Sequence, residues 1–227
     1  MADREALRFA VEGAGEVSAL LDRPANARRI LVLAHGAGAG MSHPFLEKLT
    51  ARFAELGTAT LRYQFPYMEQ RRRIPDRPSL LTATVAAAVK TASELAPGIP
   101  LFAGGKSMGG RMTSQAAAEG LLAGVAGLIF FGFPLHPPNR PGTKRADHLA
   151  DVKLPMLFLQ GSRDAFADLK LLRPICAKLG KLATLHVVPD ADHSFRVPKK
   201  SGKSEDQILM ELAETASQWA DEVEAKR

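Results

Sequence analysis

The sequence predicts an α/β fold, with a mostly parallel, doubly wound sheet and helices on both of its faces. Short, continuously apolar runs at residues 29–34 and 125–131 are typical of strands that are buried on both faces of a parallel sheet. Segments with apolar residues at helical spacing, such as 43–57 and 80–95, lie between such runs. This alternation from residue 29 onward indicates βαβ units with right-handed crossovers.

The N-terminal part predicts a hairpin, because two apolar runs flank the glycine-rich link 12–16. In the helix predicted over 43–57, apolar residues recur every three or four positions, and Gly57 can end it. The strand predicted over 100–104 is very short and runs directly into a glycine-rich turn. The last predicted helix, 206–223, has one apolar face.

The remaining elements are predicted on the same grounds. The predicted strands cover residues 6–11, 17–21, 29–34, 58–63, 100–104, 125–131, 154–160 and 183–188. The predicted helices cover residues 43–57, 80–95, 111–120, 168–179 and 206–223, with a short one near 146–150. Residues 64–77 and most of 135–152 are polar and contain prolines, which favours loops.

Length and composition predict one domain over residues 1–227, of which 1–27 form the hairpin of the sheet. Hydrophobic residues make up 46% of the chain and charged residues 24%, as is ordinary for a globular protein. The single cysteine, Cys176, excludes an internal disulfide. Residues 1–15 lack the apolar core of a signal peptide, and no apolar run reaches the ~18 residues of a membrane span. We therefore expect a cytoplasmic protein that does not bind membranes.

The formal charge of +6 includes two local basic clusters, at residues 71–77 and 199–203. No aromatic residues alternate with these charges, so base stacking is not indicated and solvated loops are the expected structure. The histidines have no metal-ligand spacing with one another or with the cysteine. We expect no nucleic-acid partner, no metal and no cofactor.

Four predicted strands are followed by residues that can do chemistry. The glycine-rich turn 35–40 follows the strand at 29–34, and Ser107, Asp164 and His193 follow later strands. The carboxyl ends of parallel strands meet at one edge of a doubly wound sheet, where ligands bind. The sequence therefore predicts that these distant residues converge on one site.

Ser107 stands at the centre of a G-x-S-x-G sequence, which is typical of a nucleophile on a sharp strand-to-helix turn. A serine hydroxyl needs a base, for which His193 is the candidate, and the base needs an acid to hold its tautomer. Asp164 is the favoured acid because it directly follows a strand. The acids that remain as alternatives are Asp168, Asp190 and Asp192. A phosphate-binding loop is not favoured, because Pro100 stands where that motif needs glycine.

A tetrahedral oxyanion on such a serine would need preorganised donors. The backbone N–H of Met108, one residue past the serine, is the first candidate. The N–H of Ala37, in the glycine-rich turn, is the expected second, with Gly38 as the alternative. His35 is expected to be structural, bonding backbone groups and shaping that turn.

Four segments together resemble small bacterial α/β hydrolases that are related to dienelactone hydrolases and to a testis-expressed animal homologue. They are residues 33–40, 104–111, 159–164 and 190–195. The resemblance implies a Ser-Asp-His hydrolase built on Ser107, Asp164 and His193. Dienelactone hydrolases proper use a cysteine nucleophile, so the serine puts dienelactone as the substrate in doubt. The connection after the strand at 125–131 is about 20 residues long, too short for a cap domain, so no lid is expected.

An open site of this kind would have apolar walls that suit small or medium acyl groups. The expected wall residues are Met41, Phe65, Tyr67, Phe133, Leu135, Phe166 and Phe195. The function expected first is hydrolysis of a small-molecule carboxylic ester or thioester through an acyl-enzyme on Ser107. The alternatives are a non-catalytic interaction module on the same fold and acyl transfer to an acceptor other than water. The sequence does not predict the oligomeric state.

Overall fold

The computed structural model describes residues 2–227, so Met1, which the predicted domain includes, lies outside the described residues. The structure contains a sheet of eight strands. The strands are β1 (Asp3–Val11), β2 (Gly15–Arg23), β3 (Arg29–Ala34), β4 (Thr58–Tyr63), β5 (Leu101–Lys106), β6 (Val125–Phe131), β7 (Met156–Gly161) and β8 (Ala183–Val188). Every residue of β3, β4, β6 and β7 is buried, as the apolar runs predict for strands covered on both faces.

Within residues 2–227, six α-helices connect and cover these strands. They are α1 (Pro44–Glu55), α2 (Pro66–Glu69), α3 (Pro78–Leu95), α4 (Met108–Ala118), α5 (Leu169–Leu179) and α6 (Glu205–Glu224). Short 3₁₀ turns occupy Lys144–Asp151, Gly180–Leu182 and Lys199–Ser201. Among residues 2–227, no helix combines the length and the apolar character that crossing a membrane requires.

The strand order β1-β2-β4-β3-β5-β6-β7-β8 confirms the predicted fold class. The hairpin β1–β2 pairs antiparallel, and β2 pairs antiparallel with β4. From β4 through β3 to β8, all neighbouring strands are parallel. The carboxyl ends of β3 and β5 to β8 therefore point to one edge, and each is followed by a segment that the sequence analysis singled out.

Two apolar clusters cover the two faces of this sheet. Helices α3, α4 and α5 pack with the hairpin on one face, and α1 and α6 pack on the other. Helix α6 begins with a capping box, in which Ser204 and Gln207 each bond the other's backbone N–H. The connection from β6 to β7 holds only the 3₁₀ turn, so the predicted absence of a lid is confirmed. That residues 1–227 fold as a single domain stays a prediction.

Two helices differ from the predicted ones. Helix α4 begins at Met108, directly after Ser107, and not at residue 111. Its first turn contains Gly109 and Gly110, whose low helix propensity hid the start. Helix α2 lies inside the predicted loop 64–77 and spans only four residues. Pro66 occupies its first position, where proline is favoured, but one turn is too short for a periodic pattern.

Candidate active site

Ser107 occupies the tight turn between β5 and α4. Its backbone angles are φ 52° and ψ −117°, so it lies in the positive-φ region that L side chains rarely adopt. Such strain persists only where surrounding structure holds it, and it occurs often at functional sites. The Ser107 N–H donates to the carbonyl of Phe131 on β6 at 3.1 Å, which ties the turn to the neighbouring strand.

Glycines allow this turn to pack tightly against β3. A Cβ on Gly105 would lie 2.6 Å from the Ala34 carbonyl oxygen, and one on Gly109 would lie 2.5 Å from the same atom. Cβ atoms do not approach backbone oxygens so closely, so only glycine fits at either position. The G-x-S-x-G sequence is therefore a packing requirement, which sets where the serine hydroxyl stands.

The Ser107 hydroxyl lies in a hydrogen-bonded chain with His193 and Asp164. Ser107 Oγ is 2.9 Å from His193 Nε2, and His193 Nδ1 is 2.7 Å from Asp164 Oδ2. With the ring neutral, Nδ1–H donates to the carboxylate, which leaves Nε2 free to accept the serine proton. The structure thus brings together three residues that the sequence separates by up to 86 positions.

Asp164 is anchored by more than the histidine. Its side chain is fully buried. Gln160 on β7 donates from Nε2 to Oδ2 at 2.5 Å, and the Phe166 N–H donates to Oδ1 at 2.7 Å. The Phe166 ring lies over the His193 imidazole, with centroids 4.3 Å apart. These contacts fix the orientation of both the carboxylate and the ring.

Two of the three alternative acids bond other groups through their side chains, and the third is exposed. Asp168 caps α5 by accepting from the Lys170 N–H. Asp192 accepts from two backbone N–H groups in the turn after His193. Asp190 is exposed on a turn with φ 58°. The hydrogen-bond geometry therefore favours Asp164 as the partner of the histidine.

The two predicted oxyanion donors lie near the serine, one beside it in the chain and one in the wall of the same cavity. The Met108 N–H is the first of α4, so it has no carbonyl within its own helix to bond. Ala37 lines the same cavity as Ser107. The N–H of Gly38, the alternative donor, instead donates to the Tyr67 hydroxyl at 3.0 Å. Of the two, Ala37 is therefore the better placed to face an oxyanion.

His35 serves the backbone of the glycine-rich turn, as expected from the sequence. Its Nδ1–H donates to the Gly36 carbonyl at 2.7 Å, and its Nε2 accepts from the Phe65 N–H at 3.1 Å. Burial lowers the pKa of His35 to about 4, although the bond to Gly36 acts in the opposite direction. The ring is therefore neutral at pH 7 and joins β3 to the segment after β4.

A cavity of about 310 Å³ opens next to Ser107. Small-molecule sites commonly have volumes of ~300–1,000 Å³, so this one suits a small ligand. Its lining residues are Gly36, Ala37, Ala39, His43, Phe45, Leu46, Lys106, Ser107, Phe166, His193 and Ser194. A larger cavity of about 570 Å³ lies near Arg4 and Asp22. No histidine occurs among the described residues that line it, so we place the chemistry at the smaller cavity.

Most of the expected wall residues do not line this cavity. Of the seven predicted residues, only Phe166 lines the cavity at Ser107. Four others are buried in the apolar core with at most 1% of their surface exposed: Phe65, Tyr67, Phe133 and Leu135. Phe195 is 3% exposed and stacks on Phe45, beside a separate cavity of about 190 Å³. Met41 is held through its backbone by Gln64 and Arg62.

Part of the wall comes from the start of α1, which the sequence analysis did not predict. His43, Phe45 and Leu46 face the cavity, and the His43 Nδ1 also caps the helix by accepting from the Phe45 N–H. The sequence carried a signal for this, since a His-Pro pair opens the first helix after the glycine-rich turn. Lys106 was missed too, and its Nζ atom is buried beside the site.

Comparisons with known proteins agree with this architecture. The alpha/beta hydrolase domain family matches residues 27–221. Among solved structures, a dienelactone hydrolase from Anabaena variabilis is 22% identical, with 96% of each chain covered and a TM-score of 0.75. A serine hydrolase without a lid from Xanthomonas campestris is 21% identical over 95% of this chain and 92% of that one, with a TM-score of 0.73.

Est1E from Butyrivibrio proteoclasticus is 17% identical, over 97% of this chain and 99% of that one, with a TM-score of 0.72. At these identities the three structures establish a shared fold. The family match covers most of the chain and confirms the resemblance seen in the sequence. The chain belongs to the alpha/beta hydrolase domain family, and its fold is the lidless form of that architecture.

Proposed function

We propose that this protein hydrolyses small carboxylic esters or thioesters through an acyl-enzyme on Ser107. The observation that carries the proposal is the hydrogen-bonded chain from the Ser107 hydroxyl through His193 to Asp164, with bonds of 2.9 and 2.7 Å. A nucleophile, its base and an orienting acid within hydrogen-bond reach are what acyl transfer needs. The family match and the cavity beside the serine support the same reaction.

In the first half of the reaction, His193 Nε2 takes the proton from Ser107, and Oγ attacks the carbonyl carbon of the substrate. The resulting oxyanion accepts hydrogen bonds from the backbone N–H groups of Met108 and Ala37. The C–O or C–S bond to the leaving group then breaks. The alkoxide or thiolate leaves with the proton from the imidazolium, and the acyl group stays on Ser107.

In the second half, His193 removes a proton from water as the water oxygen attacks the acyl carbon. The tetrahedral intermediate collapses, Ser107 Oγ takes the proton back, and the carboxylic acid is released. Asp164 keeps its charge throughout and stabilises the imidazolium through the Nδ1–H bond. The cavity supports this choice of substrate, because its modest volume and its wall of Phe45, Leu46 and Phe166 suit short and medium acyl chains.

A fluorophosphonate probe with mass spectrometry of the folded protein tests the nucleophile. We expect one adduct on Ser107, loss of the adduct in Ser107→Ala, and a fall in p-nitrophenyl ester turnover of about three orders of magnitude or more. An acetyl-to-dodecanoyl series of esters and thioesters should show its highest kcat/KM among the shorter chains. An unlabelled Ser107 in folded protein would contradict the proposal.

Ser114 offers a matched control, because it forms a second serine–histidine pair. Its Oγ is 2.7 Å from His148 Nε2, but its hydroxyl also donates to the Arg111 carbonyl at 2.8 Å. Ser114 is buried on α4 and is not among the residues that line the cavity at Ser107. Ser114→Ala should therefore keep both probe labelling and ester turnover.

A further inference from the structure

Lys106, the residue before Ser107, has a buried amine for which the mechanism above gives no use. Its Nζ atom is closed to solvent and has no hydrogen-bond partner among residues 2–227. The ring centroids of Phe45 and Phe195 lie 5.9 and 5.7 Å from it. Burying a cation without a hydrogen-bonded partner is costly, so an apolar residue would serve a purely structural role at this position better.

The amine faces the hydrogen bond between His193 and Asp164. A methyl group placed on the Gly132 Cα would lie 3.1 Å from Lys106 Nζ, 3.4 Å from His193 Nδ1 and 3.5 Å from Asp164 Oδ2. All three polar atoms thus surround the space that the missing side chain of Gly132 leaves. No side chain of Gly132 separates the amine from the imidazole.

The groups near the amine come from three parts of the fold, of which two carry titratable side chains. Asp164 follows β7, His193 and Asp192 follow β8, and α1 contributes the uncharged ring of Phe45. Burial lowers the pKa of Lys106 to about 8, while the Asp164 and Asp192 carboxylates act in the opposite direction. The amine therefore changes charge within the pH range in which an ester hydrolase can be assayed.

We propose that Lys106 is a positioning residue of this site, whose amine controls how readily His193 accepts the serine proton. A positively charged ammonium group next to the ring repels the positive imidazolium that forms in the transition state. When the ammonium group loses its proton, this repulsion disappears. Because Lys106 Nζ and His193 Nδ1 lie 3.1 and 3.4 Å from the same methyl position on Gly132, they are at most about 6.5 Å apart. At that distance and an effective dielectric constant of ~20, one charge moves a neighbouring titration by about 2 pH units. The proposal rests on the proposed function of Ser107 and assigns a second ionisation to the same site.

The test is the pH dependence of kcat/KM for a p-nitrophenyl ester in wild type and Lys106→Met. The wild-type profile should rise in two steps, an acidic limb and a second step near pH 8. Lys106→Met should move the acidic limb up by at least about 1 pH unit and abolish the second step. A residue with only a packing role would lower the whole profile without moving the limb. Identical acidic limbs in both proteins would overturn the proposal.

Asp192→Asn gives a second test that does not alter the lysine. Asparagine keeps the oxygen that accepts from the Ser194 and Arg196 N–H groups but removes a carboxylate that favours the ammonium form. The upper step should move to lower pH, and an unmoved step would count against the proposal. Lys90→Met, at an exposed position on α3, should leave both steps unchanged.

Nuclear magnetic resonance titration of the His193 ring protons separates this proposal from the proposed function, because it needs no turnover. The midpoint should lie at higher pH in Lys106→Met than in wild type. An unchanged midpoint would overturn the role of Lys106 even if Ser107 proves to be the nucleophile. If Ser107 takes no fluorophosphonate, the proposed function fails, and a shifted midpoint would still show that Lys106 controls His193.

Discussion

At the scale of single residues, close backbone contacts decide where the Ser107 hydroxyl stands. Gly109 Cα faces two carbonyl oxygens at the end of β3, and a Cβ there would lie 2.5 Å from Ala34 O and 2.6 Å from His35 O. Both obstacles are backbone atoms of a buried strand end, which cannot move without disturbing the sheet. The close packing of α4 against β3 therefore depends on the absence of one carbon atom.

Gly109→Ala should lower the free energy of unfolding by at least about 2 kcal/mol, because overpacking against a rigid backbone forces shifts in both elements. It should also weaken fluorophosphonate labelling, since the turn that carries Ser107 moves with α4. Gly142→Ala is the matched control, because nothing lies within 4 Å of its added Cβ. Urea unfolding of both variants measures the difference, and equal stabilities would contradict the packing argument.

The three residues of the hydrogen-bonded chain were easier to predict from the sequence than the residues that line the cavity. Ser107, Asp164 and His193 each follow a predicted strand, and parallel strands carry such residues to one edge. The cavity wall was not predictable in this way. Phe65 and Phe133 also follow strands, but each turns into the core formed with α3, α4 and α5. An apolar residue past a strand end can turn to the core or to the cavity, and its sequence neighbours do not decide which.

At the scale of elements, the end of β4 and the start of α2 hold the glycine-rich turn that carries Ala37. Tyr67 on α2 accepts from the Gly38 N–H, and Gln64 accepts from the Met41 N–H at 3.1 Å. Arg62 on β4 donates to the Met41 carbonyl at 2.9 Å. Side chains from β4, from the residue after it and from α2 thus hold the turn that follows β3. The position of the candidate oxyanion donor Ala37 therefore depends on these neighbouring elements.

Tyr67→Phe should therefore lower kcat about three- to tenfold with little change in KM. The lost hydrogen bond is worth ~1 kcal/mol, and it holds the turn of the candidate donor Ala37, which in the proposed mechanism acts on the oxyanion rather than on the bound ester. Burial raises the pKa of Tyr67, so its hydroxyl keeps its proton across the assay range. Steady-state kinetics with a short p-nitrophenyl ester measures the effect.

Tyr63→Phe is the control for this variant. The Tyr63 hydroxyl is buried on β4 and has no hydrogen-bond partner among the residues described. Its removal should leave kcat unchanged and keep or slightly raise stability, because no bond is lost and an unsatisfied polar group disappears. Equal losses of kcat in the two variants would show that Tyr67 acts through packing alone.

The sequence predicted which strands and helices exist better than it predicted the residues at which they begin and end. The predicted strands match all five parallel strands from β3 to β7 with end shifts of at most two residues. Continuous apolar runs located β3 and β6, because burial on both faces demands such runs. The start of α4 was missed because its glycines satisfy the packing of Ser107 and not helix propensity. The glycines are present because α4 packs closely against β3, and the helical conformation at these positions depends on that contact.

At the scale of the whole molecule, the fold keeps two histidines neutral, which makes its stability depend on pH. His35 joins β3 to the segment after β4, and His148 lies on the 3₁₀ turn Lys144–Asp151, where its ring contacts Ser114 on α4. Burial lowers the pKa of each to about 4. The charge of the nearby Arg111 also lowers the pKa of His148. Because His148 is less buried than His35, water screens its contribution to the free energy of unfolding.

The free energy of unfolding should therefore fall as the pH falls from about 6.5 to 4.5. In this window the unfolded chain binds a proton at His35, whose ordinary pKa is 6.5, while the folded protein does not. The folded protein gains the full stability from the neutral ring when the pH is above the pKa of His35 in the unfolded chain. That stability is lost as the pH falls towards the pKa of His35 in the folded protein. The expected loss at His35 is about 2 to 3 kcal/mol, with a smaller part from His148.

Urea unfolding at pH 7.0, 5.5 and 4.5 measures this loss, and His148→Gln assigns part of it. Glutamine can still donate to the Ser114 hydroxyl but does not titrate, so the variant should lose less stability over the same interval. The larger part should remain, because His35 is the more deeply buried ring. A free energy of unfolding that stays constant from pH 7.0 to 4.5 would mean that the unfolded chain binds no more protons than the folded one. Both histidines would then be able to charge within the native structure.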